Sequence, residues 1–140
     1  MREMTVPAKP ESIPVVMDFV NAELEQLGCS SRIRTSIDVA VDELFANISH
    51  YAYHPDTGPA TVRVEVEEEP LAVIITFLDN GRPFNPLDTE APDTALPAKA
   101  RKIGGLGIYI VRKTMDAITY EYRDGKNILR IRKNLEDRAE

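Results

Sequence analysis

The chain has 140 residues, 43% of them hydrophobic and 29% charged, with a formal charge of −6, a pI near 5.0 and a mean hydropathy of −0.26. That balance suits one globular domain over residues 1–140, and the acidic surface argues against nucleic acid as the main partner, since a phosphate backbone needs a basic face. Cys29 is the sole cysteine, so no internal disulfide can form; with no signal peptide, a reducing cytoplasm is the expected compartment. Apolar runs such as Ala72 to Leu78 are too short to cross a bilayer, so no membrane role is expected.

Met4 to Val6 reads as a short edge strand, ended by Pro7 and Pro10. Ser12 can cap a helix with Pro14 in its first turn, and Val16, Val20, Leu24 and Leu27 give that helix an apolar stripe. Gly28 stops it. Ser30 or Ser31 caps a second helix, striped by Ile33, Ile37, Ala40, Leu44, Ile48 and Tyr51. The run from His54 to Pro59 is a loop.

Thr61 to Val66 alternates polar and apolar, as a half-buried strand does, and Leu71 to Leu78 reads as a central strand buried on both faces. Gly81 to Gly105 holds four prolines and few large apolar residues, and a loop of this length inside a compact domain is usually a lid or a binding loop. Leu106 to Met115 reads as a helix that is apolar on most sides and so well buried. Ile118 to Arg123 and Asn127 to Arg132 flank Asp124-Gly125, a hairpin signal, and Asn134 to Glu140 is a charged tail expected to fray. Short connections favour antiparallel pairing, so the expected fold is an α+β two-layer sandwich with a mixed, mostly antiparallel sheet of about five strands and helices on one face.

Three short pieces carry candidate chemistry. Glu43 and Asn47 lie one helical turn apart, at the margin of the second helix's apolar stripe. There a carboxylate can take a proton from a hydroxyl, and a carboxamide oxygen can ligate Mg²⁺. A solvated polar pair on an exposed face has the same spacing. Asp79 ends the most apolar strand and precedes Asn80-Gly81. It can accept a hydrogen bond from an exocyclic amine, with Gly81 letting a flat base approach the backbone, or it can close an ordinary Asx turn.

Gly104-Gly105-Leu106-Gly107 opens a helix, where unpaired N–H groups and the helix dipole attract phosphate. A loop-to-helix hinge would use the same glycines. The stretch is not a Walker A loop, having no Gly-Lys-Ser/Thr end, and it is a poor dinucleotide fingerprint. Lys99, Arg101 and Lys102 lie just upstream, placed to meet a terminal phosphate or simply to be solvated. His50, His54 and Cys29 lack partners at metal-ligand or catalytic spacing.

In order and spacing, these pieces resemble the GHKL superfamily of ATP-binding domains, which includes gyrase, a heat-shock chaperone, histidine kinases and the MutL repair proteins. The nearest likeness is to the RsbW-like anti-sigma-factor serine-protein kinases, and it runs from about Thr5 to Lys133. The most specific stretch is Gly104 to Val111, followed by Met115-Asp116. Asp79-Asn80-Gly81 with Pro83-Phe84 looks like the family's first glycine box, and Glu43 and Asn47 match its Glu-x-x-x-Asn helix. Pro83 stands where the fuller superfamily box has its second glycine.

The resemblance implies roles. Glu43 would be the general base that activates a substrate serine, and Asn47 would bind Mg²⁺ bridging the ATP phosphates. Asp79 would hold the adenine amino group, with Gly81 beneath the base. Gly104, Gly105, Leu106 and Gly107 would hold the phosphates, and about residues 82–103 would form the ATP lid. The implied partners are a STAS-domain anti-anti-sigma protein, phosphorylated on serine, and a sigma factor or another regulatory target, with the kinase as a homodimer. Two other readings fit the same residues: a nucleotide-gated binding module without useful transfer, and an ATP-hydrolysing subunit or detached histidine-kinase catalytic module.

Overall fold

The computed structural model describes residues 1–88 and 105–135; of Gly105 and Leu106 it describes the backbone alone. Strand β1 (Arg2–Pro7) leads through a 3-10 turn at Pro10–Ser12 into α1 (Ile13–Leu27) and α2 (Ser31–Tyr51). Then come β2 (Pro59–Glu67), β3 (Ala72–Asp79), a 3-10 turn at Pro86–Asp88, α3 (Gly105–Thr114), β4 (Ala117–Arg123) and β5 (Lys126–Asn134).

The five strands form one sheet in the order β1-β2-β3-β5-β4. The expected mixed sheet is more regular than foreseen: all four pairings are antiparallel. The β4–β5 hairpin turns on Asp124 and Gly125, both at positive φ (55° and 76°), the backbone that an Asp-Gly pair supplies at low cost. Val62, Val64, Val73, Ile75, Phe77, Leu129 and Ile131 turn inward from the sheet. They meet Val16, Val20 and Leu24 of α1, Ile33, Ile37, Leu44 and Phe45 of α2, and Ile108 and Val111 of α3. Burying a side chain of this size is worth about 1.5–3 kcal/mol. The three helices therefore share one face of the sheet, which is the two-layer arrangement expected.

The opposite face is polar, yet central β3 is buried there too: Ile74 is 7% and Thr76 2% exposed. Arg63 and Arg130 stand in register on either side of Thr76, and Arg132 stands beside Ile74. Long arginine stems can lie over a strand while their charged ends stay in water, and Arg130 Nε donates to Thr76 Oγ1 at 3.4 Å.

Gly28 ends α1 in the left-handed conformation at φ 66°, as expected. Of the two serines that could cap α2, Ser30 does so, its hydroxyl accepting from Ile33 N at 3.2 Å. Asn21 of α1 then pins the two helices together, donating to Asp38 Oδ1 (2.9 Å) and accepting from Arg34 Nε (2.7 Å).

Three expectations are corrected. Ser12 makes no side-chain capping bond, because the preceding 3-10 turn feeds directly into α1 and leaves Ser12 helical. Among the described side chains of helix α3, Ile108 and Val111 pack inward, as does Met115 just beyond its end, while Tyr109 and Ile110 are over a third exposed. The tail also begins later than expected. Asn134 completes β5, and Leu135 is buried, its N–H bonded to Leu71 O at 2.9 Å. Residues 136–140 lie outside the described residues.

Candidate functional site

The C-terminal half of α2 and the ends of β3 and β5 line a small, partly open pocket. Leu44, Asn47, Ile48 and Ala52 line it from the helix, and Asp79, Tyr120, Asn127 and Leu129 from the sheet. Phe84 and Pro86 close it from the segment after β3. Asn47 and Asp79, far apart in sequence, thus face one cavity.

Asp79 is 5% exposed, and burial pushes its carboxyl above the ordinary value of 3.8. Hydrogen bonds from Asn127 and from the Gly81 amide oppose that rise. Both bonds fall on Oδ1, at 2.9 Å each, and among the described residues no hydrogen bond falls on Oδ2. An Asx turn is therefore present, as expected for a plain strand end, but it uses one carboxylate oxygen only.

Gly81 has a structural reason beyond a bound base. A Cβ there would lie 2.2 Å from the Ala52 carbonyl oxygen and 2.5 Å from its carbon. The chain leaving β3 runs against the end of α2, and Arg82 N bonds Ala52 O at 2.9 Å. Phe84 follows, its ring stacked on Tyr51 with centroids 4.9 Å apart. Further along, the Arg112 guanidinium of α3 bonds the Leu87 carbonyl. The first residues of the expected lid are thus tied to α2, β5 and α3.

Glu43 lies one turn before Asn47, at the opposite end of the site from Ala52. Glu43 and Ala52 lie nine positions apart, a rise of about 13 Å along the helix axis. Its carboxylate lies against the first turn of α3. A Cβ on Gly107 would come within 2.0 Å of Glu43 Cδ and 2.3 Å of both carboxylate oxygens. Burial, with the nearby Asp42 charge adding to it, holds the Glu43 carboxyl above the ordinary 4.5. A raised carboxyl is a better proton acceptor once ionised, which suits a general base.

The structure therefore sets Asn47 and Glu43 one turn apart on α2, Asn47 sharing the pocket with Asp79 of β3 and Glu43 lying against the start of α3. Gly104 and the residues before it, with Lys99, Arg101 and Lys102, lie outside the described residues. Gly105 and Leu106 form the first turn of α3, and Gly107 lies beside Glu43. The Cys29 thiol is raised by burial and sits at the far end of α1, unsuited to chemistry here. No helix among the described residues is long and apolar enough to cross a membrane.

Sequence reasoning missed Asn127, Tyr120 and Ala52, and it quoted Phe84 only as part of the glycine box. Asn127 left one sign: it holds an inward strand position, in step with Leu129 and Ile131, where a carboxamide needs partners.

The chain is similar to serine/threonine-protein kinase BtrW of Bordetella bronchiseptica, 30% identical over 100 residues (71% of this chain and 70% of that protein). It is also similar to serine-protein kinase RsbW of Halalkalibacterium halodurans, 30% identical over 127 residues (88% and 76%), and to RsbW of Bacillus subtilis, 26% identical over 132 (90% and 81%). A family model for the histidine kinase-like ATPase domain matches residues 6–133, which span every element from the end of β1 to β5. With the motif residues gathered around one pocket and nearly the whole chain matched, the chain belongs to the histidine kinase-like ATPase domain family.

Proposed function

We propose that the protein is an ATP-dependent serine-protein kinase that acts as an anti-sigma-type regulator and phosphorylates a STAS-domain antagonist in a partner-switching system. The observation that carries the reading is the array on α2: Asn47 shares a pocket with Asp79, and Glu43 stands one turn away against the start of α3. Relatives named serine-protein kinases support the reaction type.

In this reading Asp79 Oδ2 accepts from the adenine amino group. The N–H groups of Gly105, Leu106 and Gly107 at the start of α3, with Gly104 just before them in sequence, hold the phosphates, and Glu43 takes the proton of the substrate serine as its oxygen attacks the γ-phosphorus. The γ-phosphoryl passes to that oxygen and ADP leaves.

The donor set fits Mg²⁺. A carboxylate beside a polyphosphate needs a cation between them, and the Asn47 carboxamide supplies an uncharged oxygen one turn away. Among the described residues no group of three or more His, Cys, Asp or Glu side chains could hold the ion alone, so it would bind with the nucleotide. Once bound, Mg²⁺ neutralises charge on the phosphates.

The test is transfer of radiolabelled γ-phosphate to candidate STAS proteins encoded by the same genome, with Glu43→Ala as the control. Label on a STAS serine that is lost in the variant supports the kinase. Tight Mg-ATP binding and STAS complex formation without label would replace it with a nucleotide-gated binding module. The same mixtures, run by sedimentation, test the expected homodimer and complexes with a sigma factor.

A further inference from the structure

Asn127 is 6% exposed and uses all of its hydrogen-bonding capacity. Its Nδ2 donates to Asp79 Oδ1 at 2.9 Å and to the Arg82 carbonyl at 2.8 Å. Its Oδ1 accepts from Phe84 N at 3.1 Å and from the Tyr120 hydroxyl. Turning the amide over would set its N–H₂ against the Phe84 N–H and its oxygen against the Asp79 carboxylate. The surroundings therefore permit one orientation of the amide, and that orientation holds one orientation of Asp79.

We propose that Asn127 is the positioning residue for base selection. It spends Asp79 Oδ1 so that Oδ2 is left for a purine carrying an exocyclic amine, and it ties that carboxylate to the segment that closes the pocket. The inference rests on the adenine-binding reading given above and deepens it. The carboxylate that meets the base and the chain that carries Phe84 share a single carboxamide. When Asn127 is replaced by alanine, Asp79 is free to rotate and keeps only the Gly81 amide among these partners. The Phe84 backbone N–H then loses its acceptor as well. A ligand with an amine at this position would lose more than one with a carbonyl there.

The test measures binding of ATP and of inosine triphosphate, which carries a carbonyl in place of the amine, to the full chain by calorimetry. The wild type is expected to prefer ATP. In Asn127→Ala the preference collapses: ATP affinity falls about tenfold and that for inosine triphosphate about twofold or less. Thermal unfolding of the variant without ligand separates this from loss of fold.

Asn127→Asp supplies a rescue. The groups that face the new carboxyl are Asp79 from β3 and Tyr120 from β4, with Tyr53 beyond Asp79. Protonated, the new carboxyl can donate to Asp79 as the amide does; ionised, it repels that carboxylate. ATP affinity in this variant should approach the wild-type value in mild acid and fall as pH rises, while the wild type changes far less.

Retention of the ATP preference in Asn127→Ala, or an Asn127→Asp variant as insensitive to pH as the wild type, would overturn the proposal. A wild type that binds no ATP, or binds both nucleotides equally, would instead sink the adenine-binding reading itself.

Discussion

The carboxylate of Glu43 occupies the space where a side chain at Gly107 would begin, 2.0 Å separating Glu43 Cδ from a Cβ built there. Gly107 lies inside the first turn of α3, where glycine costs about 1 kcal/mol relative to alanine. A glycine at this position therefore serves something other than helix stability. Gly107→Ala should leave the protein folded and as stable or slightly more so, because what it meets is the movable end of a long side chain. Glu43 would be displaced, and transfer should fall about 10²-fold or more. The check is thermal unfolding beside single-turnover transfer; a stable variant with wild-type transfer would show that the contact has no part in the chemistry.

Glu43→Gln keeps the shape of the side chain and removes the base. Transfer should fall by about 10²–10⁴-fold while Mg-ATP affinity stays near wild type. The pH profile is the sharper measurement. The ionised carboxylate is the active form, so the wild-type rate should rise with pH through a midpoint above the ordinary 4.5, where burial has moved it. The glutamine variant should lack that acid limb. Equal loss of binding and transfer would assign Glu43 to nucleotide binding instead.

Much of this architecture is legible from local pattern. The stripes Val16-Val20-Leu24 and Ile33-Ile37-Ala40-Leu44 are helical because burial repeats with the helix turn, and β3 is central because both its faces are apolar. Glu43, Asn47, Asp79, Gly81 and Gly107 were legible as motif members. Asn127 was not, since its meaning lies in a partner 48 residues away that only strand pairing brings alongside. The exposure of Tyr109 and Ile110 was equally hidden. An apolar run does not say which sides of its helix will find neighbours, and the described side chains of α3 find them on one side only.

Asp79→Asn separates recognition from stability. An asparagine oxygen can still accept from Asn127 and from the Gly81 amide, so the fold should survive. Loss of the charged acceptor should weaken ATP binding about tenfold or more. Without ligand, the stability profile should change as well. The Asp79 carboxyl is raised in the folded state, so the folded protein holds its proton more tightly than the unfolded chain does. That contribution to stability is complete below the ordinary 3.8 and is lost as pH rises through the higher folded value. The asparagine variant has no such loss and should gain stability relative to wild type as pH rises through that window. Denaturant titrations at several pH values test the sign, and unchanged ATP affinity would remove Asp79 from base recognition.

Gly81→Ala should behave unlike Gly107→Ala, because its obstacle is backbone. The new methyl would lie 2.2 Å from the Ala52 oxygen and 2.5 Å from its carbonyl carbon, neither able to turn aside. Either the end of α2 shifts or the segment after β3 lifts, at a cost of about 1–3 kcal/mol. Lifting that segment would break the Arg82 N to Ala52 O bond and move Phe84 from Tyr51, so stability and ATP affinity should fall together. The contrast is between a glycine that makes room for a reactive group and one that makes room for the frame. Chemical denaturation and nucleotide titration of the two variants read it directly. A Gly81→Ala protein as stable as wild type would show that the chain leaving β3 does not depend on its contact with α2.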